Sequence, residues 1–264
     1  MRIEAVTLDF GNTLVAVPAG ALHTVVAETA TGIAERMGPF DPGEVRRAWA
    51  EERERQFRED VPELREVDLE QRVARILARL RGMPAPPADG RWDDEAAARM
   101  SDEVEVSWAV QRYSALFVEL VPADPAVEPL LARLAARHPL AILSNWPLAS
   151  TIDRFVEAAG WAPHLRAIVV SQREGTIKPH PAIFAAARTA LGHPEPATIL
   201  HVGDDWAADV VGAKRAGWRA AYLHDRPGDS PLPGSARDET VVADLELRRL
   251  SDLVEALEGL AAGR

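Results

Sequence analysis

The chain reads as a doubly wound α/β protein with a parallel sheet, interrupted near its start by an all-helical segment. Three observations predict this. A short apolar strand, Ala5, Val6 and Leu8, runs straight into a sharp turn at Gly11-Asn12. Residues 18–122 are Arg- and Glu-rich, with helical spacing and no alternating or β-branched run. After Pro122, short apolar runs alternate with amphipathic helices, the pattern of strands joined by crossover helices.

In order, the helical segment shows one stripe at Leu22, Val25, Val26, Thr29 and Ile33, a second at Leu69, Val73, Ile76, Leu77 and Leu80, and a third at Val104, Trp108, Tyr113, Leu116 and Leu120. The Pro- and Gly-rich run 83–90 separates the last two as an exposed loop. Beyond it, a helix at 125–137 precedes a strand at 140–143 that ends at Ser144-Asn145. A helix through Ile152, Phe155 and Val156 leads to a strand at 167–170. A helix at 181–191 leads to a strand at 198–202, and a helix ending at Gly217 leads to a strand at 220–223. Val241-Val242 reads as a last edge strand, followed by a helix through Leu247, Leu250, Leu253, Val254 and Leu257.

Composition narrows the possible functions. The 264 residues are 47% hydrophobic, enough for a core with one insertion. A net charge of -11 argues against nucleic acid or an anionic membrane as partner, and points to a small-molecule substrate. With 0 Cys there is no disulfide and no thiolate metal site. No apolar run is long enough to span a bilayer and no signal segment opens the chain, so a soluble, cytoplasmic protein, monomer or homodimer, is expected. The only lysines are Lys178 and Lys214, so Lys178 in the Gly175–Pro179 loop suggests a need for a compact ammonium.

Polar stations stand at strand ends, where α/β sheets bind ligands: Asp9 with its turn, Ser144-Asn145, Lys178-Pro179, and Gly203-Asp204-Asp205 through Asp209. Together they suit metal-assisted phosphoryl transfer. Asp9 can attack phosphorus, Asp9 and Asp204 can hold Mg²⁺, and Lys178 and Ser144 can meet the charge on the phosphoryl oxygens. Asp205 or Asp209 can orient Lys178. Blander readings stand beside these. Ser144, Asp204, Asp205 and Asp209 could cap helices, Lys178 could be a surface charge, and His201 reads as a packed core histidine. Trp146 and Trp206 either narrow the mouth or pack the core. His23, His164, His180, His193 and His224 show no ligand spacing.

In this order, the four stations resemble the haloacid dehalogenase (HAD) superfamily, dominated by Mg²⁺-dependent phosphatases. The resemblance implies a Rossmann-like core at residues 1–17 and 123–264, with a helical cap at 18–122. It implies Asp9 as nucleophile and metal ligand, the Gly11 carbonyl and Asp204 as further ligands, and Ser144 and Lys178 on the phosphoryl group, with Thr13, Asn145 and Asn12 in support. The chain departs from the family at Gly11, where most members carry the Asp that protonates the leaving group. Two alternatives therefore stand beside the phosphatase: a metal-independent 2-haloacid dehalogenase-like hydrolase and a catalytically silent phosphate-ligand binding protein. Phosphonate cleavage through a cap lysine is disfavoured, since residues 18–122 contain no Lys.

Overall fold

A computed structural model describes residues 2–261. Six strands, β1 (Ala5–Leu8), β2 (Leu140–Ser144), β3 (Ala167–Val170), β4 (Ile199–Gly203), β5 (Arg219–Leu223) and β6 (Leu245–Leu247), pair in parallel in the order β3-β2-β1-β4-β5-β6. Register places Leu8 opposite Ile142 on one side and Val202 on the other. The chain builds outward from β1 through β2 to β3, then returns to β4 on the opposite flank. The direction of winding thus reverses between β1 and β4, where a crevice opens beyond the carboxyl ends.

The strands are continuous apolar runs because both faces are covered. Val6, Leu8, Ile142, Leu200 and Val202 pack into one core, and Ala5, Ala141, Leu143 and Ile199 into another on the opposite face. The helix α6 (Val127–Ala135) leads into β2, and the crossovers after β2 contain α7 (Ala149–Ala158), α8 (Ser171–Glu174) and α9 (Pro181–Ala190).

Ahead of α6, five further α-helices lie between β1 and β2: α1 (Ala19–Arg36), α2 (Pro42–Glu59), α3 (Leu69–Leu80), α4 (Asp94–Ala98) and α5 (Glu103–Leu120). Aspartates cap four of them, Asp41, Asp68, Asp93 and Asp102 each accepting from the third backbone N–H onward, which satisfies donors the helix start leaves open. Asp102 and Glu105 complete a reciprocal capping box. The sequence pattern missed α2 because its buried stripe carries Glu52 and Gln56 beside Val45, Ala48 and Trp49. Val104 belongs to no core stripe, being 70% exposed at the start of α5.

Two expectations near the C-terminus fail. The edge strand is β6, paired with β5, and not Val241-Val242; Val242 is 69% exposed. Leu247 lies in that strand, and the last helix begins later, as α11 (Asp252–Ala261). The helix expected before Gly217 starts as a π-helical turn at Trp206–Val211 and continues as α10 (Gly212–Arg215). Among the described residues no helix is long and apolar enough to cross a membrane.

Candidate active site

Asp9 leaves β1 at the crevice, with its side chain 12% exposed. Lys178, which is 2% exposed, donates through Nζ to Asp9 Oδ1 at 2.8 Å, to the Leu143 carbonyl at 2.8 Å and to Asp209 Oδ1 at 2.6 Å. An ammonium has three protons, and all three have protein acceptors. Lys178 therefore fixes Asp9 and stabilises its charge; it reaches a ligand oxygen only by exchanging one of these bonds. Burial alone would lower the Lys178 pKa, but Asp209 and Asp9 hold the ammonium charged, well above its ordinary range.

Behind Lys178 a relay runs into the sheet. Burial opposes ionisation of Asp209, yet Lys178 and the His201 hydrogen bond hold its carboxyl well below the usual range. A charged carboxylate only accepts, so His201 Nε2 donates to Asp209 Oδ1 at 3.0 Å, and Nδ1 accepts from Thr7 Oγ1 at 2.8 Å. Burial keeps His201 neutral by lowering its pKa. His201 is a packed core histidine, edge-on to Phe184, that also supports the site. Gly203 makes room for Asp209: a Cβ there would lie 2.1 Å from its carboxylate.

Asp204 faces Asp9 from the end of β4, and single oxygens of Asp9, Asp204 and Asp209 lie within 4.8 Å of one another. Burial and repulsion from Asp9 push the Asp204 carboxyl up to about 7, despite its ion pair with Arg226 at 3.0 Å. Burial likewise raises Asp9, against the opposing pull of Lys178. Three carboxylates thus face two cations, Lys178 and Arg226. Asp209 is already engaged by Lys178 and His201, so Asp9 and Asp204 remain the carboxylates short of positive charge, and this donor set fits a hard divalent cation.

Other expected residues take different positions. Asn145 spends both ends of its amide on the Lys178 backbone, accepting its N–H at 2.7 Å and donating to its carbonyl at 3.1 Å. It positions Lys178, which uses the amide oxygen and one of the two Nδ2 protons. Thr13 Oγ1 and Asn12 Nδ2 approach Asp204 at 3.4 and 3.5 Å instead of facing an open phosphoryl site. Asp205 does not orient Lys178; it caps the π-helical turn through Ala208 N and binds Ser235. Ser144 Oγ is buried near Asp9 without a hydrogen bond of good geometry, which leaves a hydroxyl for a ligand. Trp146 and Trp206 pack as core: Trp146 lies edge-on to Phe10 and Phe117, and Trp206 to Tyr222.

Residues 224–235 form a strap across the mouth that sequence reasoning passed over. Arg226 binds Asp204 and the Pro233 carbonyl, Ser230 Oγ donates to Asn12 Oδ1 at 3.0 Å, and Arg53 of α2 reaches the Pro231 carbonyl at 3.4 Å. A Cβ on Gly11 would lie 2.6 Å from Leu232 Cδ1 and 3.2 Å from the Trp146 ring. The space of an acid at position 11 is thus already filled. The only signal was the Pro/Gly-rich composition of 227–234, which predicts a loop but not its landing place.

The chain is similar to known proteins in sequence and in fold. A phosphoserine phosphatase from Thermus thermophilus is 36% identical over 126 residues, 47% of this chain and 49% of that protein. The chain spans about half the length of the curated relatives it matches. A 2-haloacid dehalogenase from Pseudomonas syringae pv. Tomato DC3000 superimposes with a TM-score of 0.65 at 25% identity, covering 98% of this chain and 99% of that one. The putative HAD-hydrolase YfnB from Bacillus subtilis, bound to magnesium, gives 0.59 at 18% identity over 97% and 99% of the two chains. The family model for haloacid dehalogenase-like hydrolases matches residues 3–217, and the chain belongs to that family.

Proposed function

We propose that the protein is an Mg²⁺-dependent phosphohydrolase acting on a small phosphorylated metabolite, with residues 18–122 serving as a cap over the remaining core. The observation that carries this reading is the set of carboxylates, Asp9 fixed by a buried Lys178 and opposed by Asp204, with too little protein charge to balance them. Asp9 and Asp204, with the Gly11 carbonyl, would hold the ion. Its chemistry there is to neutralise phosphoryl oxygens and suppress repulsion of an anionic nucleophile.

The chain's own residues do the rest. Asp9 Oδ2, which receives no hydrogen bond among the described residues, attacks phosphorus while Lys178 holds Oδ1. The phosphorus–ester bond breaks, the leaving group departs with its electron pair, and Asp9 carries the phosphoryl group. Ser144 Oγ donates to a phosphoryl oxygen. Water then adds at phosphorus, releasing phosphate and restoring Asp9. Because Leu232 fills the place of the missing acid, substrates whose leaving group departs as a stable anion are favoured.

Hydrolysis of p-nitrophenyl phosphate by wild type beside Asp9→Asn tests this, since nitrophenolate needs no proton. Turnover lost in Asp9→Asn and in EDTA is expected; undiminished turnover in Asp9→Asn refutes the mechanism. The dehalogenase alternative is favoured by one observation, the 3.0 Å ion pair by which Arg226 sets a protein cation on an oxygen of Asp204 that a metal would take. Halide release from a 2-haloacid in EDTA would establish it in place of the phosphatase.

A further inference from the structure

Residues 64–69, which lead from α2 to α3, lie against the core beside the site. A 3₁₀ turn, Val61–Glu63, follows α2, and Leu64 turns the chain in the left-handed region at φ 54°. The Leu64 carbonyl then accepts from Ile177 N at 3.1 Å, and Glu66 N donates to the Gly175 carbonyl at 3.4 Å. Between them, Arg65 and Thr176 form an antiparallel bridge. Leu69 N donates to the Pro147 carbonyl at 2.9 Å.

The backbone bonds of the Lys178 loop therefore divide between two supports. On one side stand the Leu64 carbonyl and the Glu66 N–H, both in the helical insertion. On the other stands the Asn145 amide, which accepts from Lys178 N at 2.7 Å and donates to the Lys178 carbonyl at 3.1 Å. The bond to Leu64 falls on the residue just before Lys178, so the place of the ammonium is fixed by the insertion as well as by the core.

Two side-chain relays extend this contact to the turn after β2. The half-buried Glu66 accepts from Val67 N with Oε1 at 2.7 Å and from the Ser171 hydroxyl with Oε2. Ser171 is fully buried at the start of α8, and its oxygen accepts from Trp146 N at 2.8 Å. A hydroxyl that accepts from an N–H and donates to a carboxyl has a fixed direction, and each bond strengthens the other. In parallel, Gln172 Nε2 donates to Asp68 Oδ2 at 3.1 Å while its Oε1 accepts from Ala149 N at 3.3 Å. Each relay runs from an acid of the insertion, through a residue just beyond β3, to a backbone N–H close after Ser144 and Asn145.

We propose that residues 64–69 brace the two loops that carry Ser144, Asn145 and Lys178, and that Glu66 is a positioning residue acting through Ser171. This rests on the phosphohydrolase reading only where turnover is the readout. Glu66 touches no reacting atom. Lys178 spends all three of its protons on protein acceptors, one of them Asp9, so a displaced loop misplaces the nucleophile and the loss falls on the chemical step rather than on substrate binding.

The test combines steady-state hydrolysis of p-nitrophenyl phosphate with amide hydrogen exchange, at a temperature where every variant is folded. Glu66→Ala and Ser171→Ala should each lower kcat about tenfold or more while KM stays within about twofold. The double variant should lose no more than either single one, because the two residues act through each other. Glu66→Gln keeps an acceptor for Ser171 and should recover most of kcat. Asp94→Asn, which breaks the 2.7 Å pair with Arg75 inside the insertion, should keep wild-type kcat. The Trp146 and Ile177 amides should exchange about tenfold faster in Glu66→Ala, with the Leu8 and Val202 amides unchanged. Wild-type kcat in both single variants, or an equal loss in Asp94→Asn, overturns the brace. If Glu66→Ala does not fold, Ser171→Ala decides by the same readouts. The two readings fail separately: hydrolysis with kcat and exchange untouched by the substitutions removes the brace alone, whereas faster exchange in a protein that hydrolyses nothing removes the reaction alone.

Discussion

Replacing Arg226 by Gln should tighten Mg²⁺ binding. Arg226 places one guanidinium nitrogen 3.0 Å from Asp204 Oδ2, with side chains 25% and 4% exposed. A cation taking that oxygen must first break this pair. Fully exposed ion pairs contribute about 0.2–1 kcal/mol, and hydrogen bonds to charged groups about 1.5–3 kcal/mol. A single contact on a quarter-exposed arginine belongs between these ranges, at about 1–2 kcal/mol. At about 1.4 kcal/mol per decade, that is a roughly 5- to 30-fold lower dissociation constant for Arg226→Gln. Calorimetric titration with MgCl₂ should be done near pH 8, because burial and Asp9 push the Asp204 carboxyl up to about 7 and a proton would otherwise compete. Arg237→Gln is the control: its guanidinium lies 4.4 Å over the Trp206 ring and pairs with Glu246, so it should leave the affinity unchanged. Equal or weaker binding by Arg226→Gln would refute the competition, and would mean that Arg226 does not occupy a metal-binding oxygen.

Two further outcomes follow from packing and burial. Gly11→Asp alone should lower stability by about 1–2 kcal/mol, because its Cβ meets Leu232 and the Trp146 ring. Leu232→Ala should recover most of that loss, and only the double variant should gain on alkyl phosphates, by about tenfold or more; strictly additive melting shifts would count against this packing. Burial raises the Glu66 carboxyl from 4.5 to about 7, so the folded state binds this proton more tightly than the unfolded chain. The associated stability is complete below about pH 4.5 and is lost as pH rises through 7. Glu66→Gln removes this titration. Discounted for partial exposure, the effect is about 1–2 kcal/mol, so between pH 5 and 8 the melting temperature should fall about 4 °C less in the variant than in wild type; parallel melting curves would refute it.

The strands were legible because burial on both faces writes them as unbroken apolar runs, as in Leu140 to Leu143. That Asp9, Lys178, Asp204 and Asp209 come together was legible because strand ends in a parallel sheet must share one edge. Val241-Val242 misled because β-branched residues favour strands, whereas pairing with β5 falls to Leu245–Leu247 after Asp244 accepts from the Ala220 N–H. The roles of Asn145 and Asp205 depended on which hydrogen bonds their side chains complete, and composition at one position does not encode that. Arg226 and Leu232 reach partners more than twenty and two hundred residues away through an irregular loop, with no periodicity to follow.

The relay beneath Lys178 is built from a cross-strand pair. Thr7 on β1 stands directly opposite His201 on β4, and their hydrogen bond begins the path to Asp209, Lys178 and Asp9. A slip of one residue between these strands would turn His201 to the other face and leave Asp209 without its donor. Turnover is therefore a readout of sheet assembly: a misregistered chain could be compact, helical and soluble, and would still announce its error by doing no chemistry.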